Sequence, residues 1–343
     1  MQNKGVSVVI CCYNSKARLY KTLKALAHQI IDKEINVELI IVDNASTDET
    51  AIYAKEIWES FNSPWLLIST YKAQPGLGNA RKKGIAEANY AYVLFCDDDN
   101  WLSPNYVTDA YHILNNDSTI AACGGIGLPV FETEKPYWFD EYAESFALGS
   151  QEIVRENGKL LCLYGAGLVF KKEVINQLDV SGYTQFFKDR VGKKLSSSGD
   201  IELTNAMVLM GYKLYYSENL KFYHFLPKER LTFNYIKNLF IANGTDGPIR
   251  NLYYSYICTG LIHKLIKNWY FHLMLSMFRL VKYFLMPPKK HGRKIYFLWN
   301  KAYIKELLAI KCNYKSILAN INKVTTIKIN ANNINKITLA EMV

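Results

Sequence analysis

The sequence lacks the cysteine patterns that define disulfide-stapled domains and zinc sites. Its seven cysteines are scattered along the chain, and none forms a Cys-x-x-Cys pair. Cys11, Cys12 and Cys96 lie inside apolar segments, where a free thiol behaves as a small buried side chain. This usage is typical of a reducing compartment and argues against a disulfide framework.

The N-terminus lacks the features of a secretory leader. Residues 1–5 lead at once into an apolar segment, without a basic start, a long apolar core or a small-residue cleavage site. We therefore expect a cytoplasmic chain that begins directly with a core strand. The sequence contains no internal repeat, and 50% of its 343 residues are hydrophobic, so its composition excludes a disordered or fibrous chain.

Positive charge is concentrated in one part of the chain. The formal net charge is +10, yet residues 221–315 hold 17 Lys and Arg against three acids, which leaves the remainder slightly acidic. Charge alone would fit nucleic acid, but no recognition motif accompanies it, so we expect no nucleic-acid partner. The basic character belongs to the C-terminal region alone.

The same region has aromatic and aliphatic stretches but no long uncharged one. Within residues 251–286 the longest uncharged run has 13 residues, short of the ~18–20 needed to span a bilayer. Basic residues at intervals among Trp, Tyr and Leu favour helices that lie in the interface of an anionic membrane. The alternative is a helical appendage that packs on the rest of the chain or in a dimer.

Short apolar segments alternate with amphipathic ones over the first hundred residues. Strands are predicted near 6–12, 37–42, 66–70 and 91–96, and helices over 16–31, after residue 49 and over 78–88. This alternation predicts an α/β fold with a mostly parallel sheet flanked by helices. Because ligands of such sheets bind beyond the carboxyl ends of the strands, Asn14, Asp43 and Asp97 are expected at one rim.

Three consecutive carboxylates, Asp97, Asp98 and Asp99, follow the fourth predicted strand. They repel one another and are costly to desolvate unless a cation joins them. Asp97 and Asp99 project to the same side if the strand continues. With phosphate oxygens they would form the oxygen-rich shell that Mg²⁺ or Mn²⁺ prefers. The alternative is a solvated loop of helix-capping aspartates.

Two further segments carry candidate binding residues on this rim. Asp43 is placed to accept hydrogen bonds from a nucleobase or ribose, while Asp48 caps the next helix. Residues 74–84 form a Gly-containing turn that opens a basic helix, whose N-terminus and Arg81 would suit a diphosphate. A dinucleotide fingerprint is not met there, because the third glycine is missing.

Taken in order, these motifs resemble one family. Tyr13-Asn14, the segment 42–48, the Pro-Gly helix start at 75–84 and the Asp-x-Asp at 97–99 resemble family 2 glycosyltransferases with the GT-A fold, over residues 5–230. The resemblance implies transfer of a sugar from a nucleotide-sugar, expected to be UDP-linked, to an acceptor hydroxyl with inversion at the anomeric carbon. It also implies that Mn²⁺ or Mg²⁺ stabilises the leaving diphosphate.

The resemblance implies roles for individual residues. The nucleotide-sugar site would comprise Tyr13, Asn14, Asp43, Arg81, Asp97 and Asp98. Asp99 would ligate the metal, and His224 matches a histidine that completes the metal shell in some relatives; its alternative is a structural hydrogen bond.

An inverting transfer also needs a base to take the acceptor's proton. The family supplies it from a Glu-Asp-x-Glu-Leu-like motif, which residues 199–203 match except that Gly199 stands where the first acid is usual. Asp200 is our predicted base, which would also cap its helix, and Glu202 is the second choice.

The acceptor side is marked by two weaker signals. Gly165 lies in a Tyr-Gly-Ala-Gly segment that resembles the family's small-residue segment under the acceptor, and its alternative is a tight turn between strands. Trp138 would stack against an acceptor sugar, with core packing as its alternative.

These features together predict the organisation and the setting. We expect a catalytic domain over residues 1–230, with a nucleotide-sugar half (1–105) and an acceptor half (106–230), and then a basic helical region over 231–343 with a fraying tail from about 323. No Gln-x-x-Arg-Trp signature of processive synthases is present, so addition of one sugar is expected.

The setting would be surface polysaccharide synthesis on the inner face of the cell membrane, with a saccharide or lipid-linked acceptor. A competing hypothesis is a catalytically inactive GT-A scaffold that binds membrane or a partner enzyme. The retention of Asp43, Asp97, Asp99 and Asp200 argues against it.

Overall fold

The computed structural model describes residues 3–151, 155–156, 158–190, 192, 195–285 and 292–327. Its strands are β1 (Asn3–Cys12), β2 (Val37–Asp43), β3 (Leu66–Tyr71), β4 (Tyr90–Asp97), β5 (Asn100–Leu102), β6 (Ile120–Phe131), β7 (Arg155–Glu156), β8 (Lys159–Leu160), β9 (Val169–Lys171) and β10 (Lys213–Leu226). The four strands predicted before residue 100 are therefore confirmed.

The helices follow the predicted alternation and then dominate the C-terminal region. They are α1 (Leu19–Ala27), α2 (Thr50–Ser60), α3 (Leu77–Glu87), α4 (Tyr106–Asn116), α5 (Lys172–Val180), α6 (Gly199–Leu209), α7 (Phe233–Ile257), α8 (Leu261–Leu265), α9 (Trp269–Leu285), α10 (Gly292–Ala309) and α11 (Tyr314–Thr326), with short 3-10 helices at Phe139–Phe146 and Lys311–Asn313. Most of the predicted tail, residues 328–343, lies outside the described residues.

Eight strands form one mixed sheet in the order β3-β2-β1-β4-β9-β6-β10-β5. The first four pair in parallel, as does β6 with β10. The short strand β9 runs antiparallel to both β4 and β6, and β5 runs antiparallel to β10. The predicted mostly parallel sheet flanked by helices is confirmed, with β9 joining its two parallel parts.

Both faces of the sheet are buried, which explains the continuous apolar strands. Along β1, Val8 and Ile10 pack against the helices α1, α2 and α4, whereas Val9 packs on the opposite face. Successive side chains of a strand point to opposite faces, so a strand covered on both sides needs apolar residues at every position. This arrangement leaves the carboxyl ends of the strands as the accessible edge.

The C-terminal helices share the hydrophobic core of the sheet-containing part of the chain. Leu252 and Tyr253 of α7, with Tyr303 and Leu307 of α10, are buried in the same cluster as Met207 of α6. Hydrophobic packing is therefore continuous across residue 230. Within the described ranges, none of the helices combines the length and the apolarity that crossing a bilayer requires.

Candidate active site

The rim of the sheet gathers the predicted residues because neighbouring strands end level. In the ladders, Cys11 of β1 pairs with Asp97 of β4, and Cys12 pairs with Asp43 of β2. A cavity of about 760 Å³ opens beyond these ends. Its wall includes Tyr13, Arg18, Asn44, Arg81, Asp97, Asp98, Asp99, Tyr164, Gly165, Asp189, Arg190, Asp200, His224, Arg230, Tyr235 and Arg250.

Asn14 and Asp43 organise the loop that follows β2. Asn14, with a φ of 48°, accepts a hydrogen bond from the backbone N–H of Thr47 at 2.8 Å, and Asp43 accepts one from the N–H of Ser46 at 2.9 Å. The described wall of the cavity includes Tyr13, which is exposed, but neither Asn14 nor Asp43. Their proposed contacts with a nucleoside remain predictions.

Asn44, which the sequence reasoning passed over, fixes the entry to α3. Its side-chain oxygen accepts a hydrogen bond from the N–H of Gly76 at 2.7 Å, and its amide group donates to the carbonyls of Lys72 and Gln74. A buried amide that satisfies three backbone groups holds the loop in one conformation. The sequence signal was an Asn two residues after the end of the predicted strand.

The N-terminus of α3 is already capped by another part of the chain. The N–H groups of Leu77 and Gly78 donate to the carbonyls of Arg190 and Lys188, at 3.0 and 3.3 Å. These are among the amides that a helix start would offer to an anion. The expectation that this helix end suits a diphosphate is therefore wrong for these two groups, although Arg81 does reach the cavity.

The three consecutive aspartates meet three different cations. Asp98 accepts hydrogen bonds from the hydroxyl of Ser15 and from Arg18, whose Nη2 lies 2.6 Å away. Burial and the adjacent Asp99 raise the pKa of Asp98, against the effect of Arg18. Asp97, the most exposed of the three, lies 3.9 Å from Nη2 of Arg81. Because β4 ends at Asp97, each carboxylate turns to its own partner.

Asp99 belongs to a buried group with Arg230 and His224. Its Oδ2 lies 3.0 Å from Nη1 of Arg230, and its Oδ1 lies 3.7 Å from Nε2 of His224. Burial would raise the pKa of Asp99, but the Arg230 guanidinium holds it well below its usual range. Nδ1 of His224 lies 2.9 Å from the carbonyl of Phe146, and Nη1 of Arg230 lies 3.2 Å from Nε2. These contacts assign the proton to Nδ1 and leave the lone pair on Nε2.

This donor set fits a divalent cation. A carboxylate suits Mn²⁺ or Mg²⁺, and an imidazole whose other nitrogen is fixed by a carbonyl is a further ligand that Mn²⁺ accepts more readily than Mg²⁺. Opposite His224 in the β5–β10 ladder, the buried side-chain amide of Asn100 has no hydrogen-bond partner within the described ranges. Arg230 contacts both donors, so a cation at Asp99 would compete with its guanidinium.

Asp200 is held at the first turn of α6 with one carboxylate oxygen on each of two N–H groups. Oδ2 accepts a hydrogen bond from Gly165 at 2.5 Å, and Oδ1 accepts one from Ile201 at 2.8 Å. Burial, opposed by Arg81 and reinforced by Asp189, raises the pKa of Asp200 to about 6. A carboxylate poised near neutral pH inside a cavity has the properties of a general base.

Gly165 is small because two functional groups crowd it. A Cβ added there would lie 2.6 Å from Nη2 of Arg81 and 2.8 Å from Oδ2 of Asp200. Any larger residue would therefore push these two groups apart. The small-residue segment that the sequence analysis singled out lies directly beside the predicted base.

The second-choice base is buried among its own partners. Glu202 accepts hydrogen bonds from the N–H groups of Phe186 and Phe187 and from the hydroxyls of Tyr183 and Tyr253. Burial raises its pKa to about 7, against these hydrogen bonds. The described wall of the cavity does not include Glu202. Its contacts are those of a structural residue that ties α6 to α7.

Trp138 packs in a hydrophobic core, which was the alternative to stacking on an acceptor sugar. It is buried at the start of the 3-10 helix, with its ring 6.1 Å from that of Phe139 and 6.3 Å from that of Tyr142. It belongs to a satellite hydrophobic cluster and is not part of the described cavity wall. An aromatic run in the sequence does not distinguish stacking on a ligand from packing in a core.

The sequence of the first half of the chain matches one family. The model of glycosyl transferase family 2 matches residues 7–179, just over half of the chain. This chain is a family 2 glycosyltransferase. The match covers β1 to α5, and therefore the rim that carries Asp43, Arg81 and Asp97, whereas Asp200 and His224 lie beyond it.

Relatives of this glycosyltransferase share part of its length. The uncharacterized glycosyltransferase YfnE of Bacillus subtilis is 26% identical over 219 residues, 64% of this chain and 49% of YfnE. EpsH of the same organism is 28% identical over 123 residues, 36% of this chain and 34% of EpsH. The chain thus spans a third to a half of the length of these relatives.

A solved structure agrees with the fold of this glycosyltransferase over most of its length. The structure of S. aureus TarS 1–349 in complex with UDP-GlcNAc has a TM-score of 0.54 at 16% identity, covering 94% of this chain and 90% of that chain. The same fragment with UDP gives 0.50. This likeness shows the GT-A fold, including the helical C-terminal region.

Several charged groups in the glycosyltransferase cavity were missed by the sequence reasoning. Asp189 lies 3.3 Å from Nη1 of Arg81, while Arg230 pairs with Asp99 and Arg18 with Asp98. Arg190 and Arg250 also line the cavity. Arg230 follows β10 by four residues, and Asp189 lies in a loop without a motif. Neither position carries a pattern that distinguishes it from a solvated surface charge.

Proposed function

We propose that this enzyme moves one sugar from a nucleotide-sugar, UDP-linked, to a hydroxyl of a saccharide or lipid-linked acceptor with inversion at the anomeric carbon. The observation that carries the proposal is that one cavity holds two kinds of carboxylate. Asp99 is kept ionised beside cationic groups, whereas Asp200 has a raised pKa. Environments that separate carboxylates in this way assign one to charge stabilisation and the other to proton transfer.

The reaction is a single displacement. Asp200 takes the proton of the acceptor hydroxyl as that oxygen attacks the anomeric carbon. The bond from this carbon to the phosphate oxygen breaks, and the nucleoside diphosphate leaves with the bonding electrons. Arg81, which lies between Asp97 and Asp189, would hold the donor's phosphate side.

A divalent cation, Mn²⁺ or Mg²⁺, would be held by Asp99 and His224. When bound it stabilises the negative charge that develops on the diphosphate. The chain's own residues prepare this position, because Phe146 fixes the tautomer of His224 and Arg230 keeps Asp99 ionised.

Relatives support a role in surface polysaccharide synthesis. TarS of Staphylococcus aureus, a poly(ribitol-phosphate) beta-N-acetylglucosaminyltransferase, is 29% identical over 104 residues. The minor teichoic acid biosynthesis protein GgaB of Bacillus subtilis is 30% identical over 101 residues. The acceptor of the present enzyme would be a cell-surface glycan or its lipid-linked precursor.

Release of nucleoside diphosphate from a panel of nucleotide-sugars with Mn²⁺ tests the proposal. Asp200→Asn should bind the donor nucleotide as the wild type does, by calorimetry, yet lose transfer by about 100-fold or more. The matched control is Asp179→Asn, the same change at an exposed position at the end of α5. Full transfer by Asp200→Asn would refute the base assignment. If the wild type shows no turnover and no nucleotide binding, the inactive scaffold is favoured.

The exposed face of α9 supports attachment to a membrane surface. Tyr270, Met274, Met277, Phe278 and Val281 are 47–70% exposed. Their spacing places them within about a third of the helix circumference. On the opposite side, the imidazole of buried His272 is hydrogen-bonded to the hydroxyls of Tyr303 and Tyr314, which fixes the rotation of the helix.

Basic side chains flank this apolar stripe. Lys264 and Lys282 are exposed, and Nζ of Lys311 lies 5.6 Å from the ring centre of Tyr270. Apolar side chains bordered by lysines complement the acyl and headgroup layers of an anionic bilayer. The enzyme would thus work in the cytoplasm, peripherally on the inner face of the cell membrane.

Binding to lipid vesicles tests this attachment. Met274→Glu with Phe278→Glu should weaken binding to vesicles containing phosphatidylglycerol by about 30-fold or more, because two apolar anchors are lost and two anionic charges are added. Ile52→Glu with Val180→Glu, at comparably exposed sites outside this region, is the control. Unchanged vesicle binding in the α9 variant refutes the attachment, and loss of a dimer instead would identify a protein interface.

A further inference from the structure

Gly199, the first residue of α6, has no side chain, and the carboxylate of Asp189 lies where its Cβ would be. A Cβ added to Gly199 would lie 2.6 Å from Oδ1 and 2.7 Å from Cγ of Asp189. Asp189 also accepts a hydrogen bond from the N–H of Gly199 at 2.7 Å. A carboxylate from the preceding loop thus occupies the position where a side chain at 199 would begin.

Asp189 is built into this position. It is 5% exposed and adopts a φ of 55°, a left-handed conformation that is unfavourable for most residues other than glycine. The carbonyls on either side of it, those of Lys188 and Arg190, accept the hydrogen bonds of the first two amides of α3. A buried aspartate in this conformation, whose loop is fixed at both neighbours, is held in place by the surrounding structure.

The same carboxylate orients Arg81, which lies beside the base. Oδ2 of Asp189 is 3.3 Å from Nη1 of Arg81. Nη2 of Arg81 and Oδ2 of Asp200 both lie within 3 Å of one point, the Cβ position of Gly165. Asp189 therefore contacts both the helix that carries Asp200 and the cation beside it.

We propose that Asp189 is the positioning residue of this active site: it substitutes for an acidic side chain at position 199, fixing the first turn of α6 and keeping Arg81 from pairing fully with Asp200. The inference rests on the proposed function of Asp200 as the base. Without Asp189, Arg81 turns to Asp200, and the base becomes weaker and is displaced from the acceptor hydroxyl.

The groups around Asp200 define what a pH profile should report. Arg81 faces it from α3, Asp189 from the loop before α6, and Cys162 and Tyr164 from the segment that carries Gly165. Arg81 is the cation that lowers the pKa of Asp200, and Arg250 of α7 lines the same cavity. Removal of Asp189 should therefore lower the pKa of the base and shift the acid limb of kcat by about one pH unit to lower pH.

The test exchanges the carboxylate between the two positions. Asp189→Ala should lower kcat by about 30-fold or more and shift the acid limb, while Asp189→Asn, which keeps the hydrogen bond to Gly199, should show a smaller loss of kcat with the same shift. Gly199→Glu alone should also lower kcat, because its side chain meets Asp189. The double variant Asp189→Ala with Gly199→Glu should instead have a kcat at least about 10-fold higher than that of Asp189→Ala alone. Its acid limb should return to that of the wild type, since Glu at position 199 supplies the carboxylate that Asp189 no longer provides.

The outcomes separate this inference from the function on which it rests. Thermal unfolding and calorimetric binding of UDP control for folding in every variant. If Asp200→Asn loses transfer but Asp189→Ala keeps the kcat and acid limb of the wild type, the positioning role is refuted alone. A double variant no better than Asp189→Ala also refutes it. If Asp200→Asn retains full transfer, the base assignment itself has failed.

Discussion

Replacing Arg230 by methionine should convert the metal position from one occupied by a guanidinium into an open one. Arg230 lies 3.0 Å from Asp99, whose side chain is 3% exposed. Breaking a buried ion pair by removing one partner costs about 3 kcal/mol. With an unfolding entropy of roughly 0.7 kcal/mol/K for a chain of this length, the midpoint of thermal unfolding in EDTA should fall by about 4 °C.

Mn²⁺ should restore most of the stability that Arg230→Met loses in EDTA. A cation at 100 times its dissociation constant stabilises the folded state by about 2.7 kcal/mol, close to the cost of removing the arginine. In the wild type the cation must first displace Arg230, so its nucleotide-free affinity should be weaker than that of the variant by about 10-fold or more. The assay is thermal unfolding of both proteins in EDTA and across a Mn²⁺ titration, without nucleotide.

The chain supplies a matched control in Arg18→Met. Arg18 forms the neighbouring ion pair, with Asp98 at 2.6 Å, and the described side-chain partners of Asp98 are Ser15 and Arg18, without an imidazole. This variant should lose stability in EDTA and regain little with Mn²⁺. Equal recovery of both variants, or no recovery of Arg230→Met, would show that Arg230 does not compete with a cation at Asp99.

Three further outcomes follow from the site. Transfer by the wild type should fall as the pH drops below about 6, because the raised pKa of Asp200 leaves it protonated there and ionised above; a kcat profile flat to pH 5 contradicts this. Glu202→Ala should lower the free energy of unfolding by about 3 kcal/mol or more in denaturant titrations, since Tyr253 and three other donors lose their buried acceptor. A change below ~1 kcal/mol would refute the structural role of Glu202. Gly165→Ala should reduce kcat by about 10-fold with little change in the unfolding midpoint, because its methyl group separates Arg81 from Asp200; wild-type kcat would argue against the crowding.

The elements of the first hundred residues could be predicted because the information that specifies them is local. Strands such as β1 and β4 are continuous apolar runs, and the register of a parallel sheet brings the residues at their carboxyl ends together. The position of Asp97 and Asp99 at the end of the fourth strand predicted that they lie at the rim. It did not predict the separate partners of the three aspartates, since these depend on Arg18, Arg81 and Arg230 arriving from distant segments.

The rest of the site depends on contacts that have no periodic signal. Asp189 and Glu202 are both acids near the predicted base, yet one lines the cavity and the other is enclosed by Tyr183 and Tyr253. Only the path of the loop between α5 and α6 distinguishes them. Gly199, read from the sequence as a missing acid, is explained by that same loop.

The long helix α7 fixes the distance between the cavity and the exposed face of α9. Its N-terminal half contributes Tyr235, Leu239 and Asn243 to the cavity wall, and its C-terminal half is buried in the core. Helix α10 packs against both α7 and α9. The mouth of the cavity should therefore lie at a constant height above any surface that α9 contacts. Acceptors would then be selected by how far their reactive hydroxyl projects from that surface, as well as by their chemistry.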